Sequence, residues 1–169
     1  MRRNVVWAVF VVAAALIQTT WLDALRLEGV LPDLVLLLVV YFAIEDGEER
    51  AMFTGVLGGL YQDVVGNAVL GHHVLCHVVV AYVTGRVARR LITQHAAVKV
   101  GLVFSASLTH GFLYVCIQYV QTPEMSAVQT FLVSVVPGAF YTALATPLMF
   151  FILGRAFRRA EEPIQGGVS

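Results

Sequence analysis

Charge is what this sequence has least of. Asp, Glu, Lys and Arg make up 13% of its 169 residues, while 59% are hydrophobic and the mean hydropathy is +0.79. A soluble globular domain carries about a quarter charged residues and, at this length, buries at most ~70% of its surface. In water such a composition would leave wide apolar patches exposed, so lipid is the simpler solvent. Neither sign is in excess: 11 basic residues balance 11 acidic ones, which denies the chain the positive footprint of a nucleic-acid binder. Cysteine is scarce, and Cys76 and Cys116 both sit in apolar runs, where they act as small hydrophobes and not as a disulfide framework. The sequence also lacks a Gly-rich phosphate loop, and no Ser, Cys or Lys nucleophile has a base partner at a recognisable spacing. An enzyme is therefore not expected.

What is present is a series of uncharged intervals, residues 4–22, 34–44, 51–62, 64–85, 100–123 and 125–154. A charge at mid-bilayer costs several kcal/mol, so these intervals predict about six transmembrane helices. A span needs about 20 residues, which the first, fourth, fifth and sixth intervals satisfy alone. The second reaches that length only by extending back to Gly29 with Asp33 at the interface, and the third only if Asp63 enters the membrane or its edge. Both are short or tucked against other helices. A β-barrel would need alternating polarity, whereas the run from Leu34 to Val40 is apolar on every side. The expected fold class is all-α, a polytopic helical membrane protein, with 1–160 as one integral-membrane domain and 161–169 as a flexible cytoplasmic tail.

Six spans put Arg2, Arg3, Arg50, Arg86, Arg89, Arg90, Lys99, Arg155, Arg158 and Arg159 on one side and Arg26 alone on the other. By the positive-inside rule both termini are expected in the cytoplasm. No small-x-small cleavage site follows the first apolar run, so that run reads as an uncleaved span, with Trp7 and Trp21 as interface anchors. Pro137 and Pro147 interrupt the last interval, where each is expected to kink a helix; Pro137-Gly138 can instead end a short interfacial stretch.

Within these segments Gly55, Gly59 and Asp63 recur at i, i+4 and i+8 on one face of the third helix, with Gly58, Gln62 and Gly66 on the adjoining stripe. Small-xxx-small spacing lets a second backbone come close. That backbone belongs either to another helix of this chain, the commoner case, or to a separate protein whose docking surface would lie here. Asp63 either caps a helix and bonds internally or meets a partner's donor. Gly66 and Gly71 bracket a tight turn that positive φ values allow, and Pro32-Asp33 is expected to open and cap the second helix. His72, His73, Cys76 and His77 invite a metal hypothesis. Their side chains leave one helix along two diverging stripes, however, so a cage would need help from elsewhere, for instance His110. Packed histidines, with no metal or cofactor, are the default.

Pro32-Asp33-Leu34, then Gly55, Gly58-Gly59-Leu60-Tyr61-Gln62-Asp63, Gly66, Leu70-Gly71, Leu75, Tyr82 and Gly85-Arg86, and the closing run from Pro137 to Leu148, resemble the rod shape-determining protein MreD family in order and spacing over residues 32–159. The family often has Asn where Thr142 stands, and the His72-His73 pair is not a family feature. The resemblance implies a non-enzymatic inner-membrane component of the bacterial elongation machinery. Its implied partner is the single-span protein MreC, with links to the MreB filament and to the RodA and transpeptidase wall synthases. It also implies a fold similar to the S components of energy-coupling-factor transporters, which raises small-molecule (vitamin) binding as the alternative. S components commonly carry an Ala-xxx-Ala docking pattern in the first helix. Here Ala8, Ala13, Ala14 and Ala15 are followed four residues on by Val12, Ile17, Gln18 and Thr19, and the pattern is absent.

Overall fold

In the computed structural model, which describes residues 2–20, 32–66, 69–91, 95–123 and 126–161, the chain is helical with no strand among the described residues. The helices are α1 (Arg2–Thr20), α2 (Leu34–Glu45), α3 (Glu48–Val65), α4 (His72–Ala88), α5 (Ala96–Gln121), α6 (Ala127–Thr130) and α7 (Val136–Glu161). A π-helical turn, Phe131–Val135, joins α6 to α7, and the three run on as one apolar rod, Ala127–Arg158. The expected tail falls on residues 162–169, outside the described residues.

The short second interval is explained by its place. Every residue of α2 from Val35 to Ala43 is buried, as an all-apolar helix must be when it forms a core, and α1, α3, α4, α5 and α7 all pack on it. With 12 residues it is about 18 Å long. Asp33 is its N-cap, so the helix begins at Leu34; residues 29–31, over which the span was expected to extend, lie outside the described residues.

α3 and the first half of α7 turn small and polar residues inward and large apolar ones outward. On α3, Ala51, Thr54, Gly55, Gly58, Gly59, Gln62 and Asp63 are buried, while Phe53, Leu57, Leu60 and Val64 are exposed. On α7, Ala139, Thr142, Ala143 and Thr146 are buried while Phe140, Leu144, Leu148 and Phe151 face out. A bundle in lipid packs this way, because association there rests on close backbone approach. α5 and the Ala127–Arg158 rod are long and apolar enough to cross a membrane by themselves; the apolar parts of α1 (Asn4–Gln18) and α2 are shorter. The fourth interval is divided, its first residues completing α3 and the rest forming α4, which holds 17 residues.

Pro137 does not break the last rod. Proline has no N–H to return to the fourth residue before it, and here Val136 N–H donates to Phe131 O across the π turn, the kind of local ladder shift that lets a helix pass such a site. Pro147 lies inside α7.

The tightest packing is between α3 and α4. A Cβ on Gly59 would stand 2.7 Å from both Val74 Cα and Val74 N, one on Gly55 would stand 3.0 Å from His77 Cβ, and one on Gly58 would collide with the Val35 side chain of α2. Gly101 has open space. Gly59→Ala is therefore expected to destabilise the isolated chain by about 1–3 kcal/mol, because backbone and not a flexible side chain blocks the new methyl. Gly101→Ala should cost almost nothing. Thermal unfolding of the two variants in detergent, without any partner, checks this, and equal midpoints would refute it.

Candidate functional site

Polar side chains gather where α2 and α4 begin. A helix start has orphan N–H groups, and away from water each needs an acceptor. At α2, Asp33 Oδ1 accepts from Leu36 N–H at 2.9 Å, and Val35 N–H donates to Gln18 Oε1 of α1 at 3.1 Å. Gln18 Nε2 in turn donates to Asp33 Oδ1 at 3.2 Å. The Asp33 backbone N–H donates to Thr142 Oγ1 of α7 at 3.1 Å, and that hydroxyl donates to Gly138 O at 2.8 Å. Pro32 lies one residue before the cap and not in the first helical turn.

Asp63, 1% exposed, does the same for α4 from the end of α3. Its Oδ2 accepts from Gly71 N–H at 2.8 Å and its Oδ1 from His73 N–H at 2.9 Å. His73 Nδ1–H adds a third bond to Oδ1 at 2.8 Å. The carboxylate thus caps the next helix and not its own. Gly71, the residue before α4, has φ +97, a left-handed conformation that glycine adopts without strain. Gly66 does not share it: its φ is −78, and what restricts it is Gln62 O, 2.8 Å from where a Cβ would be. Residues 67–68 of the turn lie outside the described residues. Gln62 is buried, and its Oε1 has no hydrogen-bond partner among the described residues.

Of the two readings for the third helix, the contacts are those of internal packing. The face carrying Gly55 and Gly59 is occupied by α4, and Gly58 abuts α2, so a partner's backbone has no room there. These glycines pack the chain's own helices.

The histidines divide as the stripe argument requires, with one addition. His72 stacks on Tyr114 of α5, ring centroids 4.2 Å apart, and its Nε2–H donates to Tyr114 O at 3.2 Å. Cys76 is buried beside it on the same stripe. His77, on the other stripe, donates Nδ1–H to His73 O at 2.9 Å and turns Nε2 toward Asp33, 3.6 Å from Oδ2. His110 of α5 brings Nδ1 to 3.9 Å from the same oxygen. Asp33, His77 and His110 therefore meet from three helices, an arrangement that a search along α4 alone cannot find. Asp33 caps α2 with one oxygen and turns the other toward these histidines, which no spacing along the sequence shows. A cavity of about 220 Å³ opens beside them, lined by Asp33, His110, Ser107, Tyr114 and Thr142 among others.

The capping geometry makes a graded prediction. Asp63→Asn keeps one acceptor oxygen in place of two and should cost about 1–2 kcal/mol. Asp63→Leu leaves three donors unpaired and should cost about 3 kcal/mol or more. Unfolding midpoints of the chain alone, in the order wild type, Asn, Leu, check it; an Asn variant as stable as wild type would refute the three-bond cap.

A family model described as rod shape-determining protein MreD matches residues 1–159. No curated protein and no solved structure matches, and the expected likeness to S components rests on the family resemblance alone.

Proposed function

The chain belongs to the rod shape-determining protein MreD family, and from that membership we propose a non-enzymatic, multi-pass scaffold of the bacterial inner membrane. In this reading it holds an MreC-like single-span partner and supports peptidoglycan synthesis and rod shape. RodA, the transpeptidase and the MreB filament are its direct or indirect associates. The observation that carries the reading is the extent of the match, residues 1–159, over a bundle whose outer surface is apolar.

The distribution of charge supports the six-span topology with both termini cytoplasmic. Arg50 pairs with Asp46 at 3.1 Å, Lys99 with Glu45 at 3.3 Å and Arg86 with Glu48 at 3.4 Å; Arg89 also pairs with Glu48. Arg50 reaches Asn4 near the start of α1, and Arg158 near the end of α7 lines one cavity with Glu45, Asp46 and Lys99. The basic residues thus collect at the end of the bundle where the first helix begins and the last one finishes, which the positive-inside rule assigns to the cytoplasm.

Two measurements test the proposal. In spheroplasts an impermeant thiol reagent should modify a cysteine at Glu124 and spare cysteines at Ala97 and Gly166; labelling at Gly166 from outside would reject the topology. Depletion of the chain should round the cells, and the tagged full chain should bring down a single-span MreC-like protein from membranes. Normal rods together with no such partner would reject the scaffold.

A further inference from the structure

We propose that Asp33, His77 and His110 form a binding site for one divalent transition-metal ion of the Zn²⁺ class, joining α2, α4 and α5 at the end of the bundle where α2 and α4 begin. One ligand atom from each of the three residues lies within 4.8 Å of the other two, and Asp33 Oδ2 faces His77 Nε2 and His110 Nδ1. In a tetrahedral site with bonds of about 2.0–2.1 Å, neighbouring ligand atoms stand about 3.3 Å apart. The separations of 3.6 Å and 3.9 Å from Oδ2 need a contraction of a few tenths of an ångström, and the separation between the two histidines, at most 4.8 Å, closes with them when the rings turn onto an ion. Two imidazole nitrogens and one carboxylate oxygen make a donor set suited to Zn²⁺ and its neighbours and not to Mg²⁺ or Ca²⁺, which prefer oxygen.

The independent sign of a ligand is an unmet one. His77 is 0% exposed, and its Nε2 has no hydrogen-bond partner among the described residues. At 3.6 Å from Oδ2 it is aimed at the carboxylate and too far for a hydrogen bond. A buried polar atom left in that state is costly, and a cation between the two would satisfy both.

The surrounding groups orient the donors as metal-site neighbours do. His77 gives Nδ1–H to His73 O at 2.9 Å, which leaves the Nε2 lone pair facing the site. Asp33 Oδ1 is held by Leu36 N–H and Gln18 Nε2, leaving Oδ2 free. His73 is not one of the three residues whose ligand atoms converge; its Nδ1 is bound to Asp63 at 2.8 Å. A three-ligand ion keeps a fourth position, and the adjoining 220 Å³ cavity with Ser107, Ser134 and Thr142 in its wall supplies room for water or a small polar group there.

The test uses the full chain in detergent, purified without a polyhistidine tag, stripped with chelator and reloaded with Zn²⁺ or, as a spectroscopic probe, Co²⁺. Expected are one ion per chain, visible Co²⁺ bands of a four-coordinate site, and a rise in unfolding temperature with Zn²⁺. Asp33→Asn and His110→Ala should each weaken binding by at least about tenfold and remove the thermal response, while His72→Ala and Cys76→Ser bind as wild type does. Asp33→Asn keeps an oxygen for Leu36 N–H, so the fold survives and the loss is readable. Three results would overturn the site: no stoichiometric ion in the folded wild type, equal binding by Asp33→Asn, or loss of the ion in His72→Ala and Cys76→Ser. A fourth is stabilisation by lowered pH with no response to either metal, which would make the cluster an internal His–Asp ion pair.

Discussion

The constraint on which the rest depends is the supply of hydrogen-bond acceptors to helix starts that have no water. Two of the described helices, α2 and α4, begin among protein atoms at the same end of the bundle. An unpaired N–H in an apolar setting costs several kcal/mol, and the chain answers each start with a carboxylate from the sequence just before it: Asp33 for α2 and Asp63 for α4. Gln18 and Thr142 complete the set from α1 and α7. Three helices, α1, α3 and α7, are thereby tied to the starts of two others, and a negative group is present for a backbone reason before any question of ligand arises.

The glycine face of α3 decides how near those starting points come to the histidines. Because Gly55 has no side chain, α4 lies close enough for His77 Cβ to sit 3.0 Å from the missing methyl, and it is this approach that carries His77 Nε2 to within 3.6 Å of the carboxylate on α2. A larger residue at Gly55 or Gly59 would move α4 outward as a rod and pull the histidine away from Asp33. Small-residue packing and the polar cluster are therefore one structure. The apolar exterior follows as well, since helices that turn glycine, alanine and threonine inward have only their large side chains left for the outside.

Much of this was legible in order of residues alone. Uncharged intervals mark the helices, an all-apolar run marks the central one, and i, i+4 glycines mark the closest contact, because each of these is local along the chain. The N-cap at Asp33 was legible for the same reason. What was not legible depends on which helix faces which. Nothing in the spacing of Gly55, Gly59 and Asp63 says that the backbone they admit is α4 and not a partner's. Asp63 looks like the end of its own helix until Gly71 turns the chain back over it. The meeting of Asp33, His77 and His110 spans residues far apart in sequence on three helices, and periodicity within one helix carries no information about it. The π turn before Pro137 was equally hidden, since a proline announces a lost hydrogen bond and not how the ladder recovers.

The two ends of the bundle are held by different physics. At the buried end the contacts are short, enclosed bonds to backbone N–H groups, which salt does not screen and which leave a helix start unsatisfied if broken. At the charged end Arg86 and Arg89 reach Glu48 from side chains that are 57% and 54% accessible. Such pairs contribute about 0–1 kcal/mol each and exchange partners at little cost. A scaffold in the proposed orientation would thus keep a fixed arrangement on its outer side and present an adaptable set of Arg, Lys and Glu side chains inward. That asymmetry follows from where water can reach the helix ends.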